Sequence, residues 1–163
     1  MKNKILIISL LVLVVGLSGC IDSGASKIDG LAPSINSHLK TGDTAYNQAV
    51  YHANRFQYDK ALEDCSNATN EFNAAKSSAD QALTYAKDSN DNVFVSYMGY
   101  LVNEIDAKVN ATSELQLAIP YMQQNDTSSA NVHRDLANNY MNQAVDFKAK
   151  RDAIASQNPS KFK

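Results

Sequence analysis

The stretch VFVSYMGYLVNEIDAKVNATSELQLAIPYM, residues 93–122, decides the fold class. Phe94, Met98, Leu101, Ile105, Val109, Thr112, Leu115, Ile119 and Met122 return every three or four residues. That spacing places them on one face of an α-helix for about seven turns at ~3.6 residues each. The stretch predicts the central helix of the protein. Pro120 lies near its end and lacks the N–H that would continue the ladder, which predicts a kink or an early stop. Asn125-Asp126-Thr127 then supply a turn and a cap.

Outward from this helix the same period recurs. Toward the C-terminus, Val132, Leu136, Tyr140, Ala144, Phe147 and Ile154 define a last helix that stops before Asn158-Pro159. Toward the N-terminus, Asp88-Ser89-Asn90-Asp91-Asn92 reads as a turn followed by an N-cap. From Asp43 to Lys87 there is no Gly or Pro, and Leu62, Cys65, Thr69, Phe72, Ala75, Ala79, Leu83 and Ala86 form one stripe. Before it, Pro33 suits the first turn of a short helix in which Ile35 and Leu39 share a face and Thr41-Gly42-Asp43 end the element. β-structure has almost no support. Short links between long helices force antiparallel neighbours. The expected fold is all-α: an antiparallel up-down helical bundle of three long helices plus one or two short ones, after a cleaved N-terminal signal helix.

Tyr46 to Ala68 resembles a single tetratricopeptide-type helix pair, with Ala49, Tyr58-Asp59-Lys60-Ala61 and Ala68 at that family's small positions and turn. Gln48, His52 and Asn73 depart from the leucine, tyrosine and proline usual there, and no second unit follows at the ~34-residue period. The resemblance implies a break near Phe56-Gln57; an unbroken helix from Asp43 to Lys87 is the alternative.

The first twenty residues place the chain in the cell. Lys2 and Lys4 precede an uncharged apolar run from Ile5 to Leu17, followed by Ser18-Gly19-Cys20. As a helix that run is about 20 Å long at ~1.5 Å per residue, short of the ~30 Å hydrocarbon core. A positive start, a short apolar middle and small residues before a cut site are the parts of an export signal, and an uncleaved anchor reaching Ile21 is the alternative. Leu17-Ser18-Gly19-Cys20 resembles the lipobox of bacterial and archaeal lipoproteins. The resemblance implies cleavage before Cys20, attachment of lipid such as palmitate to its thiol, and residence on the outer face of the cell membrane. The expected domains are a signal peptide over 1–19, a flexible Asp-, Ser- and Gly-rich tether over 20–30, the bundle over 31–157 and a tail over 158–163.

Removing residues 1–19 takes away two of the 15 basic residues and none of the 17 acidic ones, so the formal charge moves from −2 to −4. A mildly acidic exterior argues against nucleic acid and against electrostatic docking onto anionic lipid, leaving membrane contact to the anchor. About 144 residues remain, enough for one domain. With Cys20 committed to lipid, Cys65 has no intramolecular partner and reads as a small buried hydrophobe.

Candidate chemistry is sparse. His38, His52 and His133 fall on segments assigned to three different elements, and neither Glu104 nor Glu114 has a histidine three residues on, as a carboxylate-bridged metal site in a bundle requires. His133 with Asp135 is too little for a site. Met98, Met122 and Met141 are available as haem ligands, but methionines at core spacing are ordinarily core, and Cys-x-x-Cys-His is absent. No Gly-x-Ser-x-Gly elbow or phosphate-cradling glycine loop occurs. No catalytic residue, metal or cofactor is therefore expected. Asn67, Asn110 and Asn125 each open an Asn-x-Thr sequon, a candidate glycosylation acceptor. Eight tyrosines and no tryptophan include Tyr97, Tyr100, Tyr121 and Tyr140, suited either to protein or glycan contacts or to lining the bundle with hydroxyls at its rim. The functional expectation is a membrane-anchored, extracytoplasmic, non-catalytic binding or structural module of the cell envelope. A small-ligand or metal-binding helical protein of the envelope is the alternative.

Overall fold

The computed structural model describes residues 24–162. Four helices follow in order: α1 Gly24–Ala53, α2 Tyr58–Asp88, α3 Asn92–Gln123 and α4 Thr127–Gln157. They are near-equal in length, at 30, 31, 32 and 31 residues, and run up and down as an all-α bundle. Among the described residues no helix is long and apolar enough to cross a membrane. The signal segment, Cys20 and the cleavage site lie outside the described residues.

The N-terminal third differs from expectation. No short helix stands alone: α1 is continuous from Gly24 to Ala53, so the tether expected over 20–30 is helical from Gly24 onward. Pro33 sits inside α1 and Pro120 inside α3, and both rings are on exposed faces, where water can satisfy the carbonyl four residues back. Gly42 does not end a helix. It is buried in mid-α1, where an added Cβ would lie 2.5 Å from Phe72 Cε1 and 2.6 Å from Cδ1, so the missing side chain makes room for a ring of α2. The break near Phe56-Gln57 is present, and the alternative of an unbroken helix from Asp43 to Lys87 is not.

The three turns share one construction. Gln57, Asp91 and Asp126 donate their N–H to carbonyls five residues back, at His52, Ala86 and Tyr121, and the residue just before each donor is left-handed. These are Phe56 at φ 61°, Asn90 at 52° and Asn125 at 59°. This is the helix-ending loop that glycine or asparagine usually completes. Asp91 then caps α3, accepting from Val93 N at 3.0 Å and Phe94 N at 3.3 Å, and Asp126 caps α4 through Ser129 N at 3.1 Å.

α1 packs on α2, α2 on α3 and α3 on α4, with slight contact between α1 and α3 and none between the backbones of α1 and α4. The core sits along α2 and α3. α2 presents Ala61, Cys65, Ala68, Phe72, Ala75, Ala79, Ala82 and Ala86, a mostly alanine face that lets α1 come close. Met98, Leu101, Ile105, Leu115 and Ile119 of α3 are fully buried, each contributing roughly 1.5–3 kcal/mol. α4 is rotated away from its expected register. Its buried residues are Ala130, Ala137, Met141, Ala144 and Arg151, while Val132 and Leu136 are exposed and Tyr140, Phe147 and Ile154 half-buried on its flank. A helix that packs against one neighbour needs only a narrow strip, and alanine gives the closer approach. The expected tail folds back, with Phe162 lying 5.3 Å from Phe94 and 4.6 Å from Tyr97 between ring centroids.

Candidate functional site

Three features of the folded chain carry charge or exposed apolar surface, and the most buried is an ionic cluster on α3. Glu104 and Lys108, one turn apart at 3.9 Å, face the gap between α1 and α4. Lys108 Nζ donates to Asp43 Oδ1 of α1 at 2.5 Å, and Glu104 Oε2 lies 2.8 Å from Arg151 Nη1 of α4. Asp152 extends the cluster to Lys148 at 2.7 Å. Glu104, Lys108 and Arg151 are each at least 95% buried. Burial pushes the Glu104 carboxyl above the usual carboxylate range, and Arg151 and Lys108 only partly offset it. The 2.8 Å contact is close but not aligned as a hydrogen bond, which leaves Glu104 Oε2 and Arg151 Nη1 and Nε ion-paired without a directed donor and acceptor. The Arg151 guanidinium also sits 5.7 Å from the Tyr97 ring centre. The cluster joins the two helices whose backbones do not meet.

The histidines form a second pattern. Each pairs Nδ1 with a carboxylate on the adjacent helix of its hairpin: His38 with Glu71 at 2.7 Å, His52 with Asp64 at 2.6 Å and His133 with Glu114 at 2.8 Å. His38 and His52 share α1, against the expectation of three separate elements. Among the described residues no three His, Cys, Asp or Glu side chains gather as metal ligands. Met98 and Met141 are buried core. Cys65 is a free thiol in the core, pushed up to about 12 by burial and then by the Asp64 charge, and is therefore inert as a nucleophile at neutral pH.

The third feature is on the surface. Phe56 is 78% exposed, Val132 57%, Tyr51 52% and Leu117 51%, and all four lie toward the end formed by the α1–α2 and α3–α4 turns. Beside Phe56 a shallow groove of about 340 Å³ is lined by Gln57, Tyr58, Asp59, Lys60 and Gln123. Tyr58 is fixed there by donating its hydroxyl to Met122 O at 3.1 Å. Of the tyrosines expected at contacts or rims, Tyr97 is buried beneath Arg151, and Tyr100, Tyr121 and Tyr140 are half-buried. Tyr121 stacks on His133 at 5.6 Å. The three sequon asparagines are exposed, yet Asn67 and Asn110 lie in mid-helix, and Thr112 of the second sequon is buried and bonded to Lys108 O at 2.8 Å. Asn125 alone of the three stands in a turn.

No protein-family model matches this chain, and comparison with curated proteins and with solved structures returns no match. The Glu104–Arg151 pair was not legible in the sequence, since two charges 47 positions apart carry no local signal. Phe56 did carry one: it occupies a turn where the other two turns have asparagine.

Proposed function

We propose that this chain is a membrane-anchored extracytoplasmic lipoprotein whose helical bundle is a non-catalytic binding module of the cell envelope, engaging a protein or glycan partner through the end that carries Phe56. The observation that carries the reading is Phe56 itself. A non-glycine residue pays ~1–2 kcal/mol to sit left-handed, and backbone strain of this kind collects at working surfaces. Here the strain is borne by an aromatic ring that is 78% exposed, in a turn where asparagine serves twice elsewhere. Rigid aromatic side chains on exposed ground are the usual anchors of binding interfaces. Tyr51, Leu117 and Val132 around the same end widen the apolar surface. The lipobox resemblance at Leu17 to Cys20 supports the anchor, with Cys20 as the lipid-bearing residue.

The test has two arms in the native cell. Cys20→Ser is expected to abolish lipid labelling and shift the protein out of the membrane fraction; unchanged processing and fractionation would refute the lipoprotein reading. A photo-crosslinking residue at position 56 is expected to give one discrete adduct that an equivalent residue at exposed Glu63 does not give. Identical adduct patterns from both positions would refute the binding end.

A further inference from the structure

We propose that the opposite end of the bundle rests on the headgroup layer of the bilayer, so that the protein stands upright with Phe56 presented to the space beyond. The proposal rests on the reading that residues 1–20 hold the chain at a membrane, and it goes beyond that reading by fixing which surface touches lipid and how far the other end projects. Gly24, the first described residue, is already helical and stands four residues after Cys20. Four extended residues reach at most about 14 Å at ~3.5 Å each, too little for a domain with helices of ~45 Å to tumble freely or lie at a distance. The end of the bundle nearest Gly24 is thereby kept within that reach of the surface that holds Cys20.

That end comprises the start of α1, the Ser89–Asp91 turn, the start of α3 and the folded-back residues 158–162. Gly24 abuts Tyr85 and Ser89, and Phe162 packs on Phe94, so these pieces form one face. Its exposed side chains suit headgroups. Lys27, Lys87 and Lys150 are exposed there, with Lys27 Nζ 5.3 Å from the Tyr85 ring centre. Asp91 is already neutralised by its ion pair with Lys161, while half-buried Asp29 and exposed Asp88 are the other acids beside them. A groove of about 440 Å³ opens between α3 and α4 near the same end, with Val93, Ala153 and Ile154 as its apolar wall and Lys150 at its edge. Apolar wall and lysine together match the boundary between acyl chain and phosphate. Lys27, Lys87, Lys150 and Lys161 stand at this end with Asp29, Asp88 and Asp91, a slight lysine excess on an acidic chain, so the short reach from Cys20 rather than net charge argues for the contact. The four most exposed large apolar residues all lie at the other end, where they stay clear of the bilayer.

The experiment uses full-length lipidated protein on vesicles of three parts phosphatidylcholine to one part phosphatidylglycerol, with a quencher attached to the headgroups. A fluorophore is placed at Lys87→Cys or at Gln57→Cys; the buried Cys65 thiol is left in place. Quenching at position 87 is expected to exceed that at 57 several-fold, and to fall when eight Gly and Ser residues are inserted between Ser23 and Gly24. Equal quenching at both positions, or none at either while the protein remains on the vesicles, overturns the upright contact and leaves the anchor reading standing. Protein that stays off the vesicles and shows no lipid by intact mass overturns both.

Discussion

Replacing Gly42 by alanine separates two effects that oppose each other in a helix. Alanine gains ~1 kcal/mol of helix propensity over glycine in a helix interior. At Gly42, however, the new Cβ would come within 2.5 Å, 2.6 Å and 3.1 Å of three atoms of the Phe72 ring. Carbon atoms pack at ~3.5–4.0 Å, so the ring or the helix must retreat by about 1 Å. Phe72 is fully buried, with Lys108 Nζ 5.7 Å from its ring centre, so the ring can retreat only by displacing core neighbours, and otherwise α1 must lift from α2. Overpacking of this kind costs ~1–3 kcal/mol, and lifting also loosens contacts along the alanine face. The net expectation for Gly42→Ala is a loss of ~1–2 kcal/mol. Gly30→Ala is the internal control: nothing lies within 4 Å of the Cβ it would add, and it should gain ~0.5–1 kcal/mol. Urea unfolding followed by far-ultraviolet circular dichroism measures both. Combining Gly42→Ala with Phe72→Leu should cost less than the two separate losses together, because the smaller side chain vacates the space. Stabilisation by Gly42→Ala, or strict additivity with Phe72→Leu, would refute the close approach on which the α1–α2 packing is argued.

Arg151→Met strips Glu104 of its nearer cation, leaving Lys108 3.9 Å away, and should destabilise by up to ~3–5 kcal/mol at neutral pH. Because the folded Glu104 carboxyl lies above its ordinary value of ~4.3, the stability it contributes is present below that value and lost as pH rises through the folded one. The Arg151→Met deficit should therefore shrink on acidification, and adding Glu104→Gln should recover much of it, as read by denaturant titrations across the acid range. Cys65, with its thiol pushed up to about 12, should resist an aromatic disulfide reagent at pH 8 in the native protein and react at once in denaturant; rapid native labelling would contradict its burial. Phe56→Asn relieves the left-handed strain and gives up little buried area, so thermal unfolding should be unchanged or higher by ~0.5–1 kcal/mol of stability, whereas Phe72→Ala should cost ~3–5 kcal/mol.

The parts of the fold that were legible in the sequence were those in which burial dominates local chemistry. Helix α3 packs against α2 on one side and α4 on the other, so its apolar face is wide and its period plain. The turns before α3 and α4 were legible because Asn- and Asp-rich runs stand there, and the structure puts the capping carboxylates at Asp91 and Asp126. α1 departs from expectation because glycine and proline carry the ordinary local signal of a helix breaker. Proline on the wet face breaks little, and Gly42 was a packing device whose partner lies 30 residues away. In α4 the contact strip is alanine, Met141 and Arg151, so its large apolar residues do not mark the inward face. Val132 and Leu136, large and apolar yet outward-facing, belong to the exposed apolar surface and mark candidate binding ground. The ionic cluster spans α1, α3 and α4 and carries no short-range pattern at all.

An alanine face has a consequence for alignment. Ala61, Ala68, Ala75, Ala79, Ala82 and Ala86 of α2 are so alike that α1 would find nearly the same groove after slipping by one turn, as on a rail without stops. The Phe72 ring seated at Gly42 is a detent on that rail, and the His38–Glu71 and His52–Asp64 pairs are pins at either side of it. Weakening the pins would let the helices slide without unfolding them, producing a misregistered population that retains full helicity.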